Sequence, residues 1–162
     1  MTQQFAATSP DQLATPDQLR DMSGLEIMRA ILDGRLAGAP IAGLLNYRLD
    51  TVEEGFVTFR GAPGFEMSNP MGTVHGGWYG TLLDSAMGCA VMTCLPAGAA
   101  YTTLEYKINI TRAIPHGMEI VATSTVQHAG RSTAVANGEI RGAEDGRLYA
   151  TGSTTCIILQ PR

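Results

Sequence analysis

Residues 69–95 read NPMGTVHGGWYGTLLDSAMGCAVMTCL, and Asp84 is the one charged residue among them. The part from 76 to 95 is long enough to cross a bilayer, which takes about 20 apolar residues. Asp84 stands near its middle, however, several small polar residues accompany it, and neither a second such run nor a basic flank supports a membrane span. The stretch therefore reads as a helix buried inside a globular fold, opened by Gly76-Gly77 and stopped by LPAG at 95–98. A helix that is apolar on all sides is stable only where protein surrounds it. The rest of the chain has to supply the wall.

Downstream, from Tyr101, the pattern switches to a period of two. Thr102, Leu104, Tyr106, Ile108 and Ile110 fall on one side, and Thr103, Glu105, Lys107, Asn109 and Thr111 on the other. Runs at 118–128, 132–141 and 148–159 repeat it, separated by AGR and by AEDGR, whose Asp145-Gly146 is a hairpin signal. Upstream, 46–51 and 56–60 alternate on either side of Glu53-Glu54-Gly55. Ser23-Gly24-Leu25-Glu26 matches a capping box, and Leu25, Ile27, Met28, Ile31 and Leu32 continue as an apolar helical stripe as far as Gly34. Residues 1–22, polar and broken by Pro10 and Pro16, read as a flexible arm, and 23–162 as one domain. The expected fold is α+β: a long central helix wrapped by a curved six-stranded antiparallel sheet, with a short helix in front.

Charged residues make up 16% of the 162, fewer than usual, so part of the surface is expected to be covered by another copy of the chain. Fifteen acids against eleven Lys and Arg give a net charge of −4 without a basic run, which argues against a nucleic-acid partner. Cys89, Cys94 and Cys156 show no C-x-x-C spacing, so neither a metal site nor a disulfide framework is expected. The N-terminal residues lack the basic and apolar regions of a secretory signal, and a cytoplasmic location without membrane attachment is the expectation.

Three features carry chemistry. Asn69-Pro70 alone is a turn signature, His75 alone a helix-start residue, and Gly76-Gly77 alone backbone relief. Asp84 is harder to explain, because a carboxylate among apolar groups requires a salt bridge, for which Lys107 and Arg112 are available, or a working role. The first N–H groups of a helix have no intrahelical partner and favour anions, including the oxyanion formed when a carbonyl is attacked. Eight residues of helix separate Gly76 from Asp84, a rise of roughly 12 Å. Both groups would have to lie within roughly 3 Å of one reacting carbonyl. They can share a substrate only if Asp84 of one subunit faces the helix start of another, which makes the site the property of a dimer.

With NPMGTVHGGWYGTLLDSAMG, TTLEYKINITRAIPHG and GRSTAVANGEI in place, the chain resembles the hotdog-fold acyl-coenzyme A thioesterases of the phenylacetate-pathway (PaaI-like) family over about 45–159. The resemblance implies a homodimer with sites between subunits, a homotetramer of two dimers, and hydrolysis of acyl-coenzyme A without metal or cofactor. Carried over by position, Asp84 is the general base or nucleophile, Gly76 the oxyanion donor with Gly77 beside it, Asn69 the residue orienting water or thioester, and His75 the support of the helix start. Relatives hold the water with a hydroxyl one turn after the acid, where this chain has Gly88, or on the next strand, where Thr103 is the expected residue and Thr102 its neighbour. Arg131 and Ser132 match the nucleotide-binding turn, where a solvated Arg is the alternative, and Trp78, Tyr79, Met71 and Met87 are candidates for the acyl pocket, with core packing as the reading that helical spacing more often gives. Ser85 lacks the G-x-S-x-G elbow of a serine hydrolase. Cys89 has no His placed to activate it, and the Asn-Pro to His spacing does not fit the hotdog hydratases. A non-catalytic acyl-coenzyme A sensor on the same fold is the alternative.

Overall fold

The computed structural model describes residues 3–160. Four helices, α1 (Pro16–Leu19), α2 (Gly24–Leu32), α3 (Pro40–Leu44) and α4 (Gly76–Thr93), combine with six strands. These are β1 (Tyr47–Glu53), β2 (Phe56–Gly61), β3 (Ala100–Ile110), β4 (Ile120–Ala129), β5 (Thr133–Gly142) and β6 (Leu148–Leu159). The strands pair antiparallel in the order β1-β2-β4-β5-β6-β3, so β1 and β3 are the edges. All six touch α4. Leu82, Leu83, Ala86, Met87, Ala90 and Val91 of that helix are fully buried, as an all-apolar helix requires. This is the hotdog architecture the sequence implied. No helix among the described residues is long and apolar enough to cross a membrane.

One expectation needs correcting. The alternation along β3 does not run unbroken, because the pairing with β6 slips between Thr103 and Glu105, leaving Leu104 as an inserted, exposed residue. The slip reverses the faces. Tyr101 and Thr103 turn toward α4 together with Tyr106, Ile108 and Ile110 farther along, while Thr102 is exposed. Grouping Thr102 and Leu104 with the inward residues was therefore mistaken, and so was setting Thr103 apart from them.

The segment 1–22, whose first two residues lie outside the described ones, contributes a short 3-10 turn at Pro10–Gln12 and then α1. The α3 turn also lies in a stretch without periodic signal, where Pro40 supplies the fixed backbone angle of a first helical position.

The capping box is present: Ser23 Oγ accepts from the Glu26 N–H at 3.3 Å, and Glu26 Oε2 accepts from the Ser23 N–H at 2.7 Å. It seats α2 on the end of α4, where the Gly24 N–H donates to the Leu95 carbonyl at 3.0 Å. A Cβ on Gly24 would stand 1.8 Å from the Met92 carbonyl oxygen, which is backbone and cannot swing away. Gly24→Ala is expected to destabilise the fold by about 3 kcal/mol through overpacking, read as a lowered urea midpoint.

Candidate active site

Residues 76, 80, 84 and 88 of α4 follow one another at four-residue spacing and so form a single file on the helix. That file lies along β3. A Cβ on Gly76 would stand 3.4 Å from Ile110 Cδ1, one on Gly80 3.2 Å from Tyr106 Oη, and one on Gly88 2.5 Å from Tyr101 Oη. Asp84 is the one member of the file with a side chain. It reaches Thr103, whose Oγ1 donates to Asp84 Oδ1 at 2.9 Å, on the strand segment that the bulge has turned inward.

Among the described residues Asp84 forms no ion pair, so neither Lys107 nor Arg112 answers its charge. It is partly buried and borders a cavity of about 380 Å³ together with Tyr47, Ser85, Cys89 and Tyr101. Burial, reinforced by the Asp84 carboxylate, pushes the Cys89 thiol up to about 12. The thiol is therefore protonated at neutral pH, which argues against Cys89 as a nucleophile. Burial also holds the Tyr47 and Tyr101 phenols above their ordinary range, so both stay protonated around the carboxylate at neutral pH. Ser85 is engaged with the Tyr47 hydroxyl at 2.9 Å.

The start of α4 gathers a second set. His75 is the N-cap, its Nδ1 accepting from the Gly77 N–H at 2.9 Å, which places the neutral ring's proton on Nε2. The Gly77 donor is thus engaged within the cap, whereas the Gly76 N–H has no partner among the described residues. Asn69 closes the preceding turn: Oδ1 accepts from the Met71 N–H at 2.9 Å and the Thr73 N–H at 3.3 Å, and Nδ2 donates to Thr73 Oγ1 at 2.8 Å. Its second amide hydrogen is left for another acceptor.

The remaining candidates separate by burial. Trp78 is in the core, its indole N–H donating to the Leu45 carbonyl at 2.9 Å, and Tyr79 Oη accepts from the Ile114 N–H at 2.8 Å. Met87 is fully buried, Met71 is 84% exposed, and none of these four borders the cavity at Asp84. Arg131 and Ser132 are exposed in the β4–β5 turn, where the Gln160 side-chain amide donates to the Arg131 carbonyl and the Ile158 N–H donates to the Ser132 carbonyl. Within one chain Asp84 and Thr103 meet midway along α4, while His75 and Gly76 sit at the start of that helix and Asn69 in the turn before it. No group of three His, Cys, Asp or Glu side chains converges among the described residues. Sequence reading missed the far side of the cavity, which includes Gln4, Phe5, Gly38 and Gly43. No motif marks them, although the four-residue spacing of Gly76, Gly80 and Gly88 was a legible sign of close packing.

A helix wrapped by an antiparallel sheet, carrying an acid and a glycine-rich start, defines the class. The profile of the Thioesterase superfamily matches residues 71–149 of this chain, from the turn before α4 into β6. Among its relatives, acyl-coenzyme A thioesterase 13 of Mus musculus is 33% identical over 88 residues, which are 54% of this chain and 62% of that protein. The match thus spans less than two thirds of that relative's length. The Escherichia coli PaaI protein from the phenylacetic acid degradation operon shares the fold with a TM-score of 0.74 at 21% identity, over 88% of this chain and 97% of its own. A hypothetical thioesterase protein of Streptococcus pneumoniae, solved with coenzyme A, has a TM-score of 0.65 at 26% identity over 72% and 88%.

Proposed function

We propose that the protein hydrolyses acyl- or arylacyl-coenzyme A thioesters to the free acid and coenzyme A. The observation that carries this reading is Asp84, a cavity-facing carboxylate held by one threonine hydroxyl and paired with no cation among the described residues. An acid kept only for structure would have its charge answered. The superfamily supports thioester chemistry, and the mouse relative's name and the coenzyme A in the streptococcal neighbour support the substrate class.

In this mechanism Thr103 fixes Oδ1 of Asp84 and leaves Oδ2 to act as general base on water, or as nucleophile on the thioester carbon. In the general-base route the water proton passes to Asp84, the hydroxide adds to the carbonyl, and the C–S bond breaks as the thiolate leaves and takes up a proton. The negative charge on the carbonyl oxygen is met by the N–H of the partner subunit's Gly76, at the positive end of that α4. Asn69 orients the water or the thioester through its free amide hydrogen, and His75 keeps the helix start rigid. Arg131 and Ser132 hold the coenzyme A phosphates.

The edge strand β3 supports the dimer. It is an eleven-residue edge strand with Leu104, Tyr106 and Ile110 exposed, the kind of edge that pairs with a copy of itself. A two-fold near its middle sets Thr103 and Asp84 of one chain beside the Ile110 end of the other, where that chain's Gly76 lies, and two such dimers would form a tetramer. The test is coenzyme A release across a panel of short, long and aromatic acyl thioesters, monitored as free thiol. Catalytic release from at least one is expected; tight binding without release from any would make the protein a sensor.

A further inference from the structure

We infer that the Tyr101 hydroxyl holds the attacking water beside Asp84, from a place that Gly88 leaves open on the helix. The inference rests on the thioesterase reading for the reaction this water enters. Tyr101 and Thr103 both turn inward from β3 and meet successive turns of α4: Thr103 reaches Asp84, and the phenol of Tyr101 lies over Gly88. A Cβ at position 88 would stand 2.5 Å from Tyr101 Oη, 2.9 Å from Cε2 and 3.0 Å from Cζ, so a side chain there would evict the phenol. Glycine weakens a helix interior, and here its bareness is what admits the ring.

The hydroxyl is unengaged. It takes part in no hydrogen bond among the described residues, and the one polar side-chain atom among them that is both unpaired and sealed from solvent belongs to Gln4, so the Tyr101 oxygen is open. Tyr101 borders the same cavity as Asp84. Burial keeps the phenol protonated at neutral pH, which makes it a donor. The complementary acceptor is close by: Oδ1 of Asp84 takes the Thr103 bond, Oδ2 has no partner among the described residues, and the neighbouring Ser85 hydroxyl is engaged with Tyr47. Side chains four apart on a helix start about 6 Å from each other, so the hydroxyl over position 88 stands about one turn from Asp84. A water making two hydrogen bonds spans about 5 Å, and it can donate to Oδ2 while accepting from the phenol. As that water attacks, its oxygen bonds to the thioester carbon, one of its protons passes to Oδ2, and the phenol keeps its own. The carbonyl electron pair moves onto the carbonyl oxygen, and expulsion of the thiolate follows.

The test pairs a crystal structure of the unliganded protein, at a resolution that shows ordered waters, with the kinetics of Tyr101→Phe. The crystal structure is expected to show a water within about 3.2 Å of both Tyr101 Oη and Asp84 Oδ2. Tyr101→Phe removes an oxygen that bonds to nothing else among the described residues, so its urea midpoint is expected to match the wild type. Its kcat is expected to fall about tenfold or more while KM stays within about twofold. Absence of the bridging water, or a kcat within about twofold of the wild type, overturns the assignment. So does a change confined to KM, which would set the hydroxyl against the acyl group, or a loss of turnover that only follows a loss of folded protein. A bridging water in a protein that cleaves no thioester keeps the hydroxyl's place and sinks the hydrolase reading instead.

Discussion

Asp84→Asn is expected to lower kcat by at least about a hundredfold while the fold and KM stay close to those of the wild type. The amide matches the carboxylate in shape, and its oxygen can accept the Thr103 hydrogen bond that fixes Asp84 at 2.9 Å. What the amide cannot do is take a proton or attack a carbonyl. A purely structural role for Asp84 gives the opposite pattern: stability moves and turnover follows only in proportion. Thiol release under saturating substrate, set beside a urea denaturation curve, separates the two. Turnover within about tenfold of the wild type would remove Asp84 from the chemistry.

Most of the architecture was legible because it follows from two periodicities. An eighteen-residue helix without a polar face demands enclosure, and alternating runs supply it, so α4 and the six strands could be placed close to their observed limits. Where the face a residue presents depends on a local departure from period, alternation alone misleads, and Thr103 was named through the family resemblance instead. The bulge after Thr103 has no marker in TTLEY, yet it decides that Thr103 and not Thr102 faces the helix. Trp78, Tyr79 and Met87 are buried, which agrees with the core position that helical spacing favours over a place in the acyl pocket. Gln4 and Phe5 reach the cavity because their segment bonds to Gly38 and packs through Ala6 on Gly43, contacts between segments far apart in sequence that carry no pattern.

The shared site has an equally large expected effect. Gly76→Pro removes one N–H and little else: proline suits the first position of a helix, and His75 before it already has the extended backbone, φ −64 and ψ 137, that a residue preceding proline requires. Alone, it is expected to reduce kcat about a hundredfold or more through loss of the oxyanion donor. Asp84→Asn is expected to lose activity for a different reason, on a different part of the helix. A mixed dimer of the two holds one site with both defects and one site with neither, because the intact Asp84 and the intact Gly76 come from opposite chains. The most direct measurement is therefore thiol release by Asp84→Asn and Gly76→Pro subunits unfolded together and refolded as an equal mixture, with mixed dimers verified by mass. Recovery of about a quarter of wild-type activity is predicted, since random pairing makes half the dimers mixed and each has one of two sites intact. Verified mixed dimers no more active than either parent would contradict a site built from two subunits.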